Sequence, residues 1–140
     1  MSGKKVSPAR ISPFARLVGL GFARGTDGTP QCTLEIDGRV LNVNGTVHGG
    51  ALHTLIDVSM GWFLFDHLRK DERIATIEVK INYLAAVSSG VLVAEAKLIH
   101  RSRRLAVLES VIGCNGKPIA KAMGTFYISR TRSRNDGRPS

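Results

Sequence analysis

The sequence predicts an α+β domain in which an antiparallel sheet wraps around one long central helix. Three features carry this. Residues 49–68, which open GGALHTLIDVSMGWFLF, are apolar at 51, 52, 55, 56, 58, 60, 62, 63, 64, 65 and 68. A helix apolar around most of its circumference is a buried helix. One alternating run precedes it, and four strand-like runs follow it. A sheet segregated from a single buried helix forms an α+β layer and must curve to cover that helix.

Taken in order, residues 1–11 read as a flexible basic tail. SPFARLVGL (12–20) allows one or two helical turns, with Ser12 as N-cap and Pro13 at the first helical position. QCTLEID (31–37) alternates as a strand, Asp37-Gly38 makes a turn, and Arg39 to Leu41 begin a short returning strand. After the helix, ATIEVKINYL (75–84) sets Ile77, Val79, Ile81 and Tyr83 on one face and Thr76, Glu78 and Lys80 on the other. VLVAEAKLIH (91–100) follows a Ser88-Ser89-Gly90 turn, and RLAVLESVIG (104–113) follows a basic link. NGK (115–117) is a hairpin signal before PIAKAMGTFYIS (118–129). Gly113 and Gly124 are places where strands bend. Residues 130–140, RTRSRNDGRPS, are polar and charged, have nothing to bury and read as a second basic tail. The folded domain is therefore expected over 12–129.

The 140 residues suit one domain, and a hydrophobic fraction of 43% supplies one core. The formal charge of +9 suggests an anionic macromolecule, but its distribution argues otherwise. Residues 1–16 and 130–140 carry most of it, while 17–129 hold 12 basic and 10 acidic residues. Nucleic acid is not an expected partner. No run approaches the ~20 apolar residues of a membrane span, and MSGKKVSPAR has no apolar stretch behind its lysines. Cys32 and Cys114 lack CxxC spacing, and His48 and His53 miss the i, i+4 spacing of a helical zinc pair. The expectation is a cytoplasmic protein with reduced core cysteines, no metal and no cofactor.

The stretch NVNGTVHGGALHTLIDVSMGW (42–62) holds the chemistry. Asp57 lies among apolar neighbours, where an uncompensated carboxylate costs several kcal/mol. It either occupies a minor exposed face, pairs with a base at an interface, or serves as general base or nucleophile in a partly dry site. Gly49 and Gly50 open the helix. They either serve a tight loop or leave the first N–H donors open to a carbonyl oxygen, as in an oxyanion hole. Gly49 and Asp57 are eight residues apart, about 12 Å along one helix. One carbonyl cannot touch both. Either they serve different purposes, or two copies of the helix run antiparallel across a twofold axis.

The pattern N-x-x-G-x-x-H-G-G, here Asn42, Gly45 and His48-Gly49-Gly50, followed by Asp57 nine residues after the histidine, resembles the hotdog-fold acyl-CoA thioesterases of the phenylacetate-pathway type. TIEVKINYLAAVSSG resembles the strand after the central helix in that family. The resemblance implies a hotdog fold, a homodimer or a dimer-of-dimers homotetramer, an acyl-CoA substrate and thioester hydrolysis. It implies that the Gly49 N–H polarises the carbonyl. Asn42 and His48 hold the thioester from the same chain, and Asp57 of the partner activates water or attacks. Thr76 falls where relatives hold the water with a hydroxyl; as a plain strand residue it needs no such role. Gly50 belongs to the same donor turn. Arg101, Arg103 and Arg104 in HRSRR are candidate contacts to the coenzyme phosphates, or a solvated link. Trp62, Phe63 and Phe65 read as core or dimer packing.

The alternatives are a hotdog protein that binds acyl-CoA without hydrolysis, a hotdog dehydratase, and a nucleic-acid binder acting through the tails. Binding alone does not need a carboxylate beside the carbonyl. The dehydratase motif differs from this one. No other catalytic set competes: Ser59 and His53 are six apart on one helix, and no G-x-S-x-G elbow is present.

Overall fold

The structure is a computed structural model and describes residues 11–131. The tail residues expected at 1–10 and 132–140 lie outside it. At the boundaries of the described residues, Ile11 packs against the core, Arg130 ends a strand, and Thr131 donates its N–H to the Asp71 carbonyl at 2.7 Å.

Helix α1 (Pro13–Val18) is short. The Ser12 side chain caps it by accepting the Ala15 N–H at 3.0 Å, and Gly19 ends it at φ +89°. Strands β1 (Leu20–Arg24) and β2 (Pro30–Glu35) form a hairpin. The central helix is α2 (Gly49–Phe65). Strands β3 (Glu72–Tyr83), β4 (Val91–Arg101), β5 (Leu105–Cys114) and β6 (Lys117–Arg130) complete a six-stranded antiparallel sheet ordered β1-β2-β4-β5-β6-β3. The sheet bends around α2, as expected.

Strand β1 was not predicted. Its five residues, LGFAR, are too few to show alternation, and only pairing with β2 fixes them. The returning strand expected at 39–41 is instead a 3-10 turn, Gly38–Val40. Asp37 captures that turn by accepting the Arg39 N–H at 2.9 Å and its guanidinium at 2.8 Å. Helix α2 stops at Phe65, three residues before the expected end. The next residue, Asp66, is held by Arg24 of β1 at 2.8 and 3.2 Å.

Helix α2 packs most closely on β4, β2 and β5, burying Leu52, Leu55, Ile56, Met60 and Leu64. Burial of each such side chain stabilises by about 1.5–3 kcal/mol. A Cβ at Gly124 would lie 2.7 Å from Met60 Cε, so glycine lets the helix sit close to β6. Two hydroxyls cross this layer. Ser59 donates to the Ile56 carbonyl at 2.7 Å, which leaves Ser110 to donate to Ser59 at 2.7 Å. Both are buried and both are satisfied. The turn at 115–116 has φ of +49° at Asn115 and +77° at Gly116, the geometry that Asn-Gly favours in hairpins. The β5–β6 register shifts at Gly113, where a bend was expected.

The face assignment of β3 needs correction. Its pairing with β6 slips between Thr76 and Glu78, so Ile77 is an extra residue in a β-bulge. A bulge reverses the alternation. Glu72, Ile74 and Thr76 face α2 before it, and Val79 and Ile81 do so after it. Ile77, expected inside, is 55% exposed, and Thr76, expected on the polar face, turns inward.

Glu72 and Arg101 tie the open end of the layer. Arg101 Nη2 meets both Glu72 carboxylate oxygens at 2.9 Å, and its Nη1 donates to the His67 carbonyl at 2.7 Å. The Arg69 N–H donates to Glu72 at 2.9 Å. The Arg69 N–H first, and the Arg101 guanidinium second, hold the Glu72 carboxyl below its ordinary value of 4.5. A lowered folded-state value means that the unfolded chain binds the proton more readily. The contribution of Glu72 to stability is therefore complete above about pH 4.5 and is lost as pH falls through the folded value. Glu72→Gln is expected to melt at a lower temperature than the native chain at pH 7. The gap between melting curves should narrow as pH falls below about 4.5 and through the lowered folded value; a constant gap would rule this out.

Candidate active site

The chain enters α2 through a closed loop. Asn42 Oδ1 accepts the N–H groups of Asn44 and Thr46 at 2.9 and 3.2 Å, and Asn42 Nδ2 donates to Thr46 Oγ1 at 2.9 Å. Gly45, at φ +78°, turns the chain. The Asn42 side chain is thus engaged in its own loop. His48 is the N-cap of α2: its Nδ1 accepts the Gly50 N–H at 2.8 Å. The neutral imidazole then carries its proton on Nε2, as a donor on an exposed ring. A Cβ at Gly50 would lie 2.9 Å from that Nδ1, so a side chain there displaces the cap.

Gly49 holds the first helical position, whose N–H has no intrahelical acceptor. The Tyr83 hydroxyl donates to the Gly49 carbonyl at 3.2 Å, and a Cβ at Gly49 would lie 3.2 Å from Tyr83 Cζ. The last residue of β3 therefore lies against the first residue of α2.

Two turns along, Asp57 is half-buried. Thr76 Oγ1 donates to its Oδ1 at 2.8 Å. Among the described residues this is its one hydrogen-bond partner. The bulge at Ile77 turns Thr76 toward Asp57. Beside this pair lies a cavity of about 220 Å³, walled by Phe22, Val58, Trp62, Ile74 and Phe126. A larger cleft of about 480 Å³ flanks the helix start, with His48, Gly50, Thr54 and Arg39 on its sides.

The site residues expected from sequence thus fall into three groups. His48, Gly49 and Gly50 form the start of α2, and Asn42 closes the loop that leads into it. Asp57 and Thr76 form a second group. Within one chain the two are separated by the length of helix between Gly49 and Asp57. The arginines form a third group, itself divided. Arg101 is bound to Glu72, while Arg103 and Arg104 line a separate cavity of about 370 Å³ with Tyr127 and Arg130.

The Thioesterase superfamily model matches residues 44–114, half of the chain, including both ends of the Gly49–Asp57 segment. The chain belongs to the thioesterase superfamily. Its six-stranded sheet and single long helix are the hotdog fold of that family. A conserved protein of Pseudomonas aeruginosa, PA5202, is 37% identical, with 87% of this chain and 100% of that one covered and a TM-score of 0.80. The protein BH2602 of Bacillus halodurans, solved with CoA, is 28% identical, over 86% of this chain and 81% of that one, at a TM-score of 0.82. The phenylacetic acid degradation protein PaaI of Thermus thermophilus shares the fold at 23% identity, over 83% and 98% of the chains, at a TM-score of 0.74. Membership supports thioester hydrolysis as the general activity.

Two further features of this thioesterase-superfamily chain escaped the sequence reading. Tyr83 was read only as sharing a strand face with Ile77, Val79 and Ile81, yet it packs on Gly49. Trp62 is buried, as a core residue would be, and also walls the Asp57 cavity. The run of three aromatics within residues 62–65 was the available signal, but spacing alone does not say which ring meets a cavity. Both cysteines are buried, and burial pushes the Cys32 thiol up to about 12, which keeps it protonated and inert. Among the described residues no helix is long and apolar enough to cross a membrane.

Proposed function

We propose that the protein hydrolyses an acyl-CoA thioester at sites shared by two copies of the chain. The observation that carries this reading is a pair of contacts from one strand to one helix. Tyr83 touches Gly49 and Thr76 touches Asp57. Strand β3 thus runs antiparallel to α2, with each end of β3 marking one half of the site.

β3 is also an edge strand, paired with β6 on one side only. It is long, and an open edge of that length invites pairing. Ile77, Tyr83 and Leu84 expose 55%, 53% and 56% of their surface there. Antiparallel pairing of β3 with β3 of a second copy continues the sheet under a twofold axis. With Ile77 extra in the bulge, the paired positions from Thr76 to Tyr83 have Lys80 at their middle. A twofold there sets Thr76 of one copy opposite Tyr83 of the other. It thereby sets Asp57 opposite Gly49 of the second copy, and again by symmetry.

In such a site the thioester carbonyl oxygen receives the N–H of Gly49, at the positive end of a helix dipole. The Asp57 carboxylate accepts a proton from a water that Thr76 helps to hold. The resulting hydroxide attacks the carbonyl carbon. The oxyanion collapses, the carbon–sulfur bond breaks, and the coenzyme thiolate leaves and takes up a proton. In direct attack, Asp57 forms a mixed anhydride that water then opens. Arg103, Arg104 and Arg130 offer their guanidinium groups to the coenzyme phosphates. His48 offers its Nε2–H beside the helix start, in the cleft where the coenzyme arm approaches.

Release of free thiol from a panel of acyl-CoA thioesters tests the reading. Turnover is the expected result. Binding without thiol release across the panel would leave an acyl-CoA-binding protein in its place.

A further inference from the structure

A line of hydrogen bonds joins the end of β3 to the start of α2. The Tyr83 hydroxyl donates to the Gly49 carbonyl at 3.2 Å. That carbonyl belongs to the peptide whose N–H is the N–H of Gly50. The Gly50 N–H donates in turn to His48 Nδ1 at 2.8 Å. A carbonyl oxygen has two lone pairs, so the phenol adds to the helical ladder without displacing it. A donor on the oxygen of an amide polarises that amide and strengthens the N–H at its other end. The line stops on Nδ1, and a neutral imidazole that accepts there carries its proton on Nε2. Among the described residues the Gly50 N–H is the one hydrogen-bond partner of the His48 ring.

The backbone on both sides is held by other bonds. Tyr83 pairs with Ala120 of β6, and the next residue, Leu84, donates its N–H to the Ile119 carbonyl at 2.8 Å. Val47 donates its N–H to the Val87 carbonyl and His48 its N–H to the Val40 carbonyl, both at 2.8 Å. These bonds leave the imidazole free to turn, and only the line from Tyr83 and Gly50 ends on it. Packing does not need the phenol oxygen. Tyr83 is 53% exposed, and its ring carbons Cζ and Cε1 already lie against Gly49. A phenylalanine would make the same ring contact. The hydroxyl has one hydrogen-bond partner among the described residues, and that partner is the Gly49 carbonyl.

We propose that Tyr83 is a positioning residue of the thioester site. Its hydroxyl holds the Gly49-Gly50 peptide, and through that peptide it fixes His48 as an Nε2–H donor. The inference rests on the hydrolase reading for what stands before that donor. There, charge develops on the carbonyl oxygen and then on the departing sulfur. An N–H already aimed at them gains most in the transition state.

Tyr83→Phe keeps the ring and removes the hydroxyl. It is expected to lower kcat by about 3- to 10-fold, the value of one neutral hydrogen bond. KM should stay unchanged, because the hydroxyl touches no substrate atom. His48→Asn keeps a helix cap and removes the imidazole on which the line ends. In that background Tyr83→Phe should cost nothing further. Thiol release from the acyl-CoA that the native chain turns over best gives the kinetics. Nuclear magnetic resonance of the isotope-labelled, ligand-free protein, at a pH where the ring is neutral, reads His48 directly. The native ring should be the Nε2–H form. In Tyr83→Phe the Gly50 amide proton should move upfield, and the Nδ1–H form should gain population. Native kcat in Tyr83→Phe overturns the inference and leaves hydrolysis standing. A fall in kcat with unmoved Gly50 and His48 signals does the same, as does an equal fall in both backgrounds. A third arm adds acetonyl-CoA, a ketone with a methylene between carbonyl and sulfur. If the native chain releases no thiol, yet this ketone shifts the His48 Nε2–H signal in the native chain and not in Tyr83→Phe, hydrolysis fails and the positioning of the donor stands.

Discussion

Asp57→Asn is expected to remove most hydrolysis and to leave acyl-CoA binding nearly intact. The amide keeps the size of the carboxylate and can still accept the Thr76 hydroxyl that now meets Oδ1 at 2.8 Å. It cannot take a proton from water or attack a carbonyl. A positioned general base contributes about 10²–10⁴ in rate, so a loss in that range is expected. In the proposed reaction, binding energy comes from contacts to the acyl group and to the coenzyme, which the substitution does not touch. Removing a half-buried charge also leaves the fold as stable or more so. Thiol release and calorimetric binding of a thioether analogue give the two readouts. Full turnover by the Asn variant would move the base elsewhere and leave Asp57 a partner for Thr76 alone.

Gly49→Pro is expected to lose about 10²–10³ in kcat, the value of one oxyanion donor. Proline is favoured at the first helical position, where the lost N–H has no intrahelical acceptor. His48 already has the extended conformation, φ −63° and ψ 134°, that a residue before proline adopts. Tyr83, at 53% exposure on an edge strand, has room to yield to the new ring. The substitution thus takes away a donor with little strain on the helix. Its larger value lies in combination. If each site takes Gly49 from one copy and Asp57 from the other, a heterodimer of Gly49→Pro with Asp57→Asn holds one site with both defects and one with neither. Random mixing makes half of the dimers mixed, so activity should return to about a quarter of the native value. Two inactive variants that stay inactive after co-refolding would place both groups in one chain's site, or neither in any.

The two predictions rest on different kinds of information. The helical wheel of 49–65, the strand-like runs of β4, β5 and β6 between their turns and the Asn-Gly turn were legible because each follows a local rule. A buried helix must be apolar around its circumference, and a hairpin turn must take positive φ. The candidate residues were legible too, since a lone carboxylate among apolar neighbours calls for an explanation. The face of β3 was not legible. Periodicity assumes an unbroken alternation, and the bulge at Ile77 is settled by pairing with β6, far away in sequence. That one residue decides whether Thr76 meets Asp57 or solvent.

Other points were also decided only by tertiary contacts. Arg101 looked like a free cation beside Arg103 and Arg104, and only packing sets it on Glu72. The Asn42 amide also closes its own loop, because a short polar side chain next to an N–H two residues on finds it first. Strand β1 has too few residues to declare itself, yet it supplies Phe22 and Arg24 to the Trp62 wall. The sequence by itself determined the helix, the sheet and the chemical types at the site, since these follow from burial and local geometry. Which side chains meet across the layer followed only from register, because pairing between distant strands fixes which face each residue presents.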